Sequence, residues 1–309
     1  MEFKHISVLK QESIDGLNIK PDGIYVDCTT GGGGHSLEIA KKLTTGRLIC
    51  IDKDTDALAA ARERLADFLD KITFVNDNFA NIDQILANLN ITGVDGILAD
   101  LGASSYQIDT AARGFSFMKD GRLDMRMNKS QTLDAEYVIN HYSEADLARI
   151  MFDYGEERNA RQIARKIVKQ RETKPITTTF ELRDIVVSSY PPKFQAKPSL
   201  PNKVFQAIRI EVNNELNDLP TAVEKMLQVL NNNGRLCIIT FHPLEDRIIK
   251  NTFKLHATDC ICPPRLPKCV CGHKADINLI TKHPIVPTDN ELLSNTRSGS
   301  AKLRIAEKK

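Results

Sequence analysis

No stretch of this chain approaches the roughly 18–20 consecutive apolar residues that a membrane-crossing helix requires, so none is expected. The opening residues, Met1-Glu2-Phe3-Lys4-His5, lack the apolar core of a signal peptide, and a cytoplasmic protein with no membrane partner is expected. In that compartment its seven cysteines should stay reduced. Nor does the chain carry a strong excess of either charge, since the formal net charge is +2. With 41% hydrophobic and 27% charged residues over 309 positions, it reads as a soluble globular protein of one large or two ordinary domains, not a disordered one.

The stretch from Ile24 to Ser36 organises the rest. Ile24-Tyr25-Val26-Asp27 is an apolar run that reads as a buried strand, Gly31 to Gly34 as a turn with φ freedom, and Ser36 onward as a helix. Such a turn lets backbone N–H groups at a helix start approach a ligand. Two ligand classes are disfavoured by what the loop lacks. There is no lysine after Gly34 to reach a phosphate, and Ser36 stands where a dinucleotide loop wants a third glycine or alanine. S-adenosylmethionine has no pyrophosphate to hold, and Asp27 at the strand end suits its ammonium or sulfonium charge.

The alternation continues. Arg47–Asp52 is a second strand ending in an acid, placed where nucleotide-binding α/β folds put a carboxylate on ribose hydroxyls, with Asp54 the better helix cap. A helix over 55–70 follows, then a strand at Ile72–Val75 with Phe79 just beyond it, either covering an adenine face or lying in the core. A fourth strand, Val94–Leu101, carries Asp100 near its exit. Strand–helix repeats of this kind predict an α/β fold with a parallel sheet and ligands at the carboxyl ends of its strands.

Then the pattern breaks. Residues 102–127 form a long loop rich in glycine, methionine and charge, of the sort that is usually functional. From Leu133 to Tyr190 the periodicity is helical, with capping patterns at Ser143–Asp146 and Thr178–Glu181. The expected division is a first part of the sheet domain at 1–133, an inserted helical subdomain at 134–200, and a second part at 201–309. A helix beginning at Val204 is expected to return to the sheet, and Gly234–Phe241 to supply a fifth strand ending at His242. Short strands are expected at 277–280 and 302–306.

Charge is unevenly spread. Residues 158–203 hold eleven Lys or Arg against three Asp or Glu, and residues 247–309 twelve against five, so the remainder carries −13. Two basic segments favour a polyanionic partner, most simply nucleic acid. Arg158, Arg161, Arg165 and Lys169 fall at helical spacing as one stripe.

Four cysteines form two C-x-C pairs, Cys260/Cys262 and Cys269/Cys271, with His256 and His273 nearby. Paired ligands of structural zinc usually stand two or more residues apart, so free thiols and no metal are expected. Cys28, Cys50 and Cys237 read as small core residues.

With these stretches placed, the chain resembles the bacterial small-subunit ribosomal RNA cytosine-N4 methyltransferases. The matching segments are His5–Leu9, Asp27–Ser36, Asp95–Asp109, Gly114–Met127, Tyr154–Ala164, Phe205–Glu215, Gly234–Lys250 and Ser298–Ala306. Most specific are the Asp-Leu-Gly-x-Ser-Ser-x-Gln stretch from Asp100, Gly-Phe-Ser-Phe-Met from Gly114 and Phe-His-x-Leu-Glu-Asp-Arg from Phe241. Pro243, where the family more often has serine, and Gly299, where it often has arginine, depart from the pattern.

The resemblance implies a class I (Rossmann-like) S-adenosylmethionine-dependent methyltransferase sheet with an inserted helical domain. It also implies N4-methylation of a cytidine in the decoding region of 16S rRNA. The partner would be the small ribosomal subunit or its RNA, with a homodimer as a candidate assembly. Carried over by motif, the cofactor contacts are Gly33, Gly34, His35, Asp52, Phe79, Asp100 and Gln107. An exocyclic cytosine amine is a poor nucleophile, because its lone pair is delocalised into the ring. Acceptors on N4–H are therefore needed to favour a pyramidal nitrogen and take its proton. Asp100, Ser104 and Ser105 lie where such acceptors are kept, and His242 either accepts the proton or binds the nucleotide. Plain turn geometry is the other reading of Ser104. The rival functions are an amino-methyltransferase acting on another nucleic acid, a nicotinamide-dependent oxidoreductase, and a non-catalytic RNA-binding assembly factor.

Overall fold

Apolar residues alternate along the strands because each strand is covered on both faces. In β2 (Arg47–Asp52), Leu48 and Cys50 enter one core while Ile49 and Ile51 enter the other. The same division holds in β4 (Val94–Asp100), where Leu98 faces one way and Ile97 and Ala99 the other. These are the near-continuous apolar runs that a parallel sheet needs when helices cover both sides. The computed structural model describes residues 7–263, 266 and 268–309. His5 and Ile6 of the His5–Leu9 segment and the opening residues read for a signal peptide lie outside the described residues.

The seven strands, with β1 (Ile24–Asp27), β3 (Ile72–Asn76), β5 (Leu230–Thr240), β6 (Ile277–Leu279) and β7 (Lys302–Lys308), lie in the order β3-β2-β1-β4-β5-β7-β6. The first five run parallel, and β7 is antiparallel to both its neighbours. Val26 sits between Ile49 and Ile97, so β1 is the central strand from which the order runs outward in two directions. That reversal, between β1 and β4, is where an open α/β sheet leaves a crevice beyond its strand ends. This is the expected α/β class I sheet.

Contacts divide the chain into two units, Met1–Gly102 with Leu216–Lys309, and Ala103–Glu215. The second unit is therefore larger than the 134–200 segment expected. It takes in the loop after β4, because Leu123 and Met125 are fully buried among its helices. It also keeps the helix Asn202–Asn213, which was expected to return to the sheet. Val204, Phe205, Ile208 and Val212 bury in the helical core, and Asn213 accepts the Met127 N–H and donates to the Met125 carbonyl, both at 2.8 Å. The helix that does cover the sheet is Leu219–Val229, whose Val223, Met226 and Leu227 join the β-sheet core.

Ser143 caps the helix Glu144–Asp153, and Thr178 and Glu181 form a reciprocal capping box. Cys28, Cys50 and Cys237 are buried.

Candidate active site

The site is built where β1, β2, β4 and β5 end. Beyond β1, the chain turns back on itself through a set of side-chain bonds. Thr30 Oγ donates to the Ile51 carbonyl at 3.1 Å, and Asp27 accepts from Ser36 Oγ at 2.6 Å and from the Thr29 N–H at 3.2 Å. Thr29 Oγ in turn accepts the Asp100 N–H at 2.6 Å, which ties the exit of β1 to the exit of β4. Asp27 thus holds the turn together from within.

Protein packs closely on Gly33 and Gly34, the two glycines expected to touch the cofactor. A Cβ on Gly33, whose φ is 75°, would lie 3.3 Å from Ala61, and one on Gly34 would lie 2.0 Å from Ser7 Oγ. The Gly33 N–H donates to the Thr30 carbonyl at 2.8 Å, so it is spent inside the turn. What the loop offers a ligand is its shape and the acids around it.

Asp52, at the end of β2, accepts the Gly31 N–H and the Asp54 N–H, each at 2.8 Å. Asp54, as expected, is the helix cap, accepting from the Asp56 N–H at 3.0 Å. Phe79 opens a short turn capped by Asn78 and packs its ring partly against the sheet core, so the core reading of this residue has direct support.

His35 is buried, with Nε2 3.1 Å from the Val8 carbonyl. A carbonyl only accepts, so Nε2 carries the proton and Nδ1 of the neutral ring is an acceptor. That Nδ1 lies 3.9 Å from Asp100 Oδ2. The other oxygen, Asp100 Oδ1, is buried without a hydrogen-bond partner among the described residues.

His242 begins the helix Pro243–His256, and its Nδ1 accepts the Glu245 N–H at 3.4 Å while Glu245 accepts the Phe241 N–H at 2.9 Å. The ring's second nitrogen is 3.1 Å from Glu245 Oε1, an ion-pair distance, but out of line for a hydrogen bond. With its lone pair on Nδ1 spent on the cap, the ring has only Nε2 left to offer, as a hydrogen-bond donor. Ser104 and Gln107 belong to the other unit. There Ser104 Oγ accepts the Gln107 N–H and Gln107 Oε1 accepts the Ser104 N–H, a capping box that supports the turn reading of Ser104.

Electrostatically, the site gathers acids whose carboxyls are raised by burial and by one another's charge. Burial lifts the carboxyls of Asp27 and Asp52 to about 6, against hydrogen bonds that pull the other way. Burial raises Asp100 well above the usual carboxylate range, and the charges of Asp27 and Glu245 push in the same direction. A cationic ligand would relieve all three, and the orphaned Asp100 Oδ1 would gain a partner. A ligand bearing a sulfonium and an ammonium therefore fits these residues.

Sequence reasoning missed Thr29 and the organising role of Glu245. Glu245 was legible as the fourth residue of a His-x-x-Glu capping pattern, although a histidine cap is not the usual signal. Thr29 carried no signal, since its partner lies 71 residues away.

In the second unit, Arg161, Arg165 and Lys169 are exposed along the helix Ala160–Arg171, whose Ile163 and Ile167 are fully buried. Arg158 precedes the cap residue Asn159 and so lies off the helical stripe. Lys166 donates to the Ser188 carbonyl and Arg171 to the Ile139 and Tyr142 carbonyls.

The model of the MraW methylase family matches residues 2–309. A relative from Lachnospira eligens, "Ribosomal RNA small subunit methyltransferase H", is 55% identical over 310 residues, covering 100% of this chain and 98% of its own. A protein of the same name from Clostridium botulinum (strain 657 / Type Ba4) is 56% identical over 309 residues, with 100% of both chains covered. Among solved structures, an rRNA methylase from Streptococcus thermophilus aligns over 98% of each chain at 14% identity and a TM-score of 0.42.

Proposed function

Because this chain belongs to the MraW methylase family, with S-adenosylmethionine as its methyl donor, we propose that it methylates N4 of a cytidine in the decoding region of 16S rRNA. The proposal draws on relatives named as small-subunit ribosomal RNA methyltransferases. The observation that carries it is Asp100, a half-buried carboxyl at the end of β4 whose Oδ1 is buried with no hydrogen-bond partner among the described residues. S-adenosylmethionine supplies an electrophilic methyl carbon on a sulfonium.

The chain's own residues have three tasks. Asp52 and the turn it braces hold one side of the cofactor, with Gly33, Gly34, His35 and Phe79 shaping its walls. Asp100 accepts the N4 proton. A carboxylate whose affinity for protons has been raised by burial is a stronger base than an exposed one, and the sulfonium charge of a bound cofactor would keep it ionised until it acts. His35 lines the same wall, its Nδ1 3.9 Å from Asp100 Oδ2 and so beyond hydrogen-bond reach. His242 donates to the nucleotide instead of receiving the proton, since its acceptor nitrogen serves the cap. Ser104 and Gln107 brace the turn after β4, and the basic stripe at Arg161, Arg165 and Lys169 holds RNA phosphates.

The test is methyl transfer to small subunits isolated from a strain lacking the gene, followed by nuclease digestion and mass spectrometry of the nucleosides. N4-methylcytidine appearing at a single decoding-region position is the expected result. Methyl groups on another base would favour an amino-methyltransferase of different specificity. Cofactor binding without transfer would favour the assembly-factor reading.

A further inference from the structure

Between the helix Pro243–His256 and β6, the described residues include no helix or strand. The ends of this segment are pinned, since the Asp276 N–H donates to the His256 carbonyl at 3.0 Å and the Ala275 N–H to Asp259 at 3.2 Å. Its middle has little core of its own. Ile261 and Val270, the central residues of the two C-x-C pairs, are 51% and 79% exposed. A long segment without secondary structure or apolar burial needs another source of order.

The cysteines converge there. The sulfurs of Cys260, Cys262, Cys269 and Cys271 all lie within 4.8 Å of one another. Cys260 Sγ is 3.5 Å from Cys269 Sγ and 3.9 Å from Cys271 Sγ, and Cys269 Sγ is 3.6 Å from Cys271 Sγ. These separations are far longer than a disulfide bond of about 2.05 Å. They match the edges of a tetrahedron of sulfurs about a metal at about 2.3 Å, which are about 3.8 Å long.

Two details of the backbone suit a thiolate cluster. The Val270 N–H points at Cys262 Sγ from 3.4 Å, as donors do around sulfur that carries negative charge. Gly272, directly after the second pair, takes a φ of 63°, a left-handed turn that glycine adopts without strain. The neighbouring histidines are engaged elsewhere. His256 lies between Asp276 and Glu224, 2.7 Å from each, and His273 Nε2 is 2.9 Å from the Leu255 carbonyl.

We propose that Cys260, Cys262, Cys269 and Cys271 form a structural zinc site that clasps the segment between the helix Pro243–His256 and β6. This replaces the expectation of free thiols. C-x-C spacing made zinc unattractive on sequence alone, but folding brings the two pairs together so that each supplies two corners. Four protein sulfurs leave no coordination position for water or substrate, so the metal orders the loop and takes no part in the reaction. Four-sulfur tetrahedral sites suit zinc or iron; zinc is assigned because a purely structural clasp calls for no change of oxidation state.

The test uses the full chain, purified under reducing conditions without chelator, and metal analysis. About one zinc per chain is expected. Metal-free protein titrated with cobalt should develop intense thiolate-to-cobalt charge transfer and the visible ligand-field bands of a tetrahedral four-thiolate site. The Cys260→Ser/Cys271→Ser variant should lose both zinc and cobalt bands, and trypsin should cut it faster within residues 257–275, as mapped by mass spectrometry. The proposal is overturned if the wild-type chain carries no stoichiometric zinc and gives no such bands, if iron occupies the site, or if the double variant retains its zinc. Because the cobalt titration is done on the wild-type chain, poor folding of the variant does not blunt the test.

Discussion

Asp52 holds Gly31: the Gly31 N–H donates to Asp52 Oδ2 at 2.8 Å across 21 positions of sequence. The acid at the end of β2 is therefore a brace for the glycine turn as well as a candidate ribose ligand, and removing it has two effects on the same site.

Replacing Asp52 with Ala should weaken S-adenosylmethionine binding by about 1.5–3 kcal/mol, the range for a hydrogen bond to a charged group. Isothermal calorimetry on the folded variant measures this. Unchanged affinity would leave Asp52 with the brace alone.

The raised carboxyls predict a proton-linked site. A carboxyl whose folded pKa lies above its unfolded value stabilises the fold below the ordinary value near 4, and that contribution is lost as pH rises through the folded pKa. For Asp27 and Asp52 the window runs from about 4 to about 6. Near pH 6 the ligand-free site is partly protonated, and a cationic ligand should expel those protons. Calorimetry in two buffers of different ionisation enthalpy should show proton release on binding S-adenosylmethionine, and less with S-adenosylhomocysteine, which lacks the sulfonium charge. Equal heats in both buffers would argue that these acids do not face the cofactor.

Arg161, Arg165 and Lys169 lie exposed on one helix, and among the described residues they share one long ion pair, Arg165 to Glu144 at 3.8 Å. Changing all three to Ala should weaken small-subunit binding and flatten its dependence on salt, because phosphate contacts release counterions in proportion to their number. Cofactor affinity should not move. Wild-type methylation at subsaturating subunit concentration would show the stripe to be only a solvated face.

Gly114→Ala tests the helical unit. Gly114 has a φ of 70°, and a Cβ there would lie 2.3 Å from the Arg122 carbonyl oxygen. Backbone strain and overpacking each cost about 1–3 kcal/mol, so chemical denaturation should show a loss of at least that size. A variant as stable as wild type would mean that the turn relaxes freely.

What the sequence determined by itself was local. The alternation of apolar runs with helical periods specified β1 to β4 and their order of appearance. Caps such as Ser143, Thr178 and Asp54 were legible because a cap bonds within three residues of itself. The acids Asp27, Asp52 and Asp100 could be placed at strand ends for the same reason. Tertiary structure decided everything that depends on distant partners. Gly-Phe-Ser-Phe-Met reads as a working loop, yet its neighbours Leu123 and Met125 are drawn into the helical core, and Asn213 holds the backbone of Met125 and Met127 from 86 positions away or more. Asn202–Asn213 has an apolar face that would suit either unit, and only packing assigns it. Gly34 is glycine because Ser7 lies against it. The cysteine pairs are seven or more residues apart in sequence and acquire a common centre only when the chain folds back, because ligand geometry belongs to space and not to spacing.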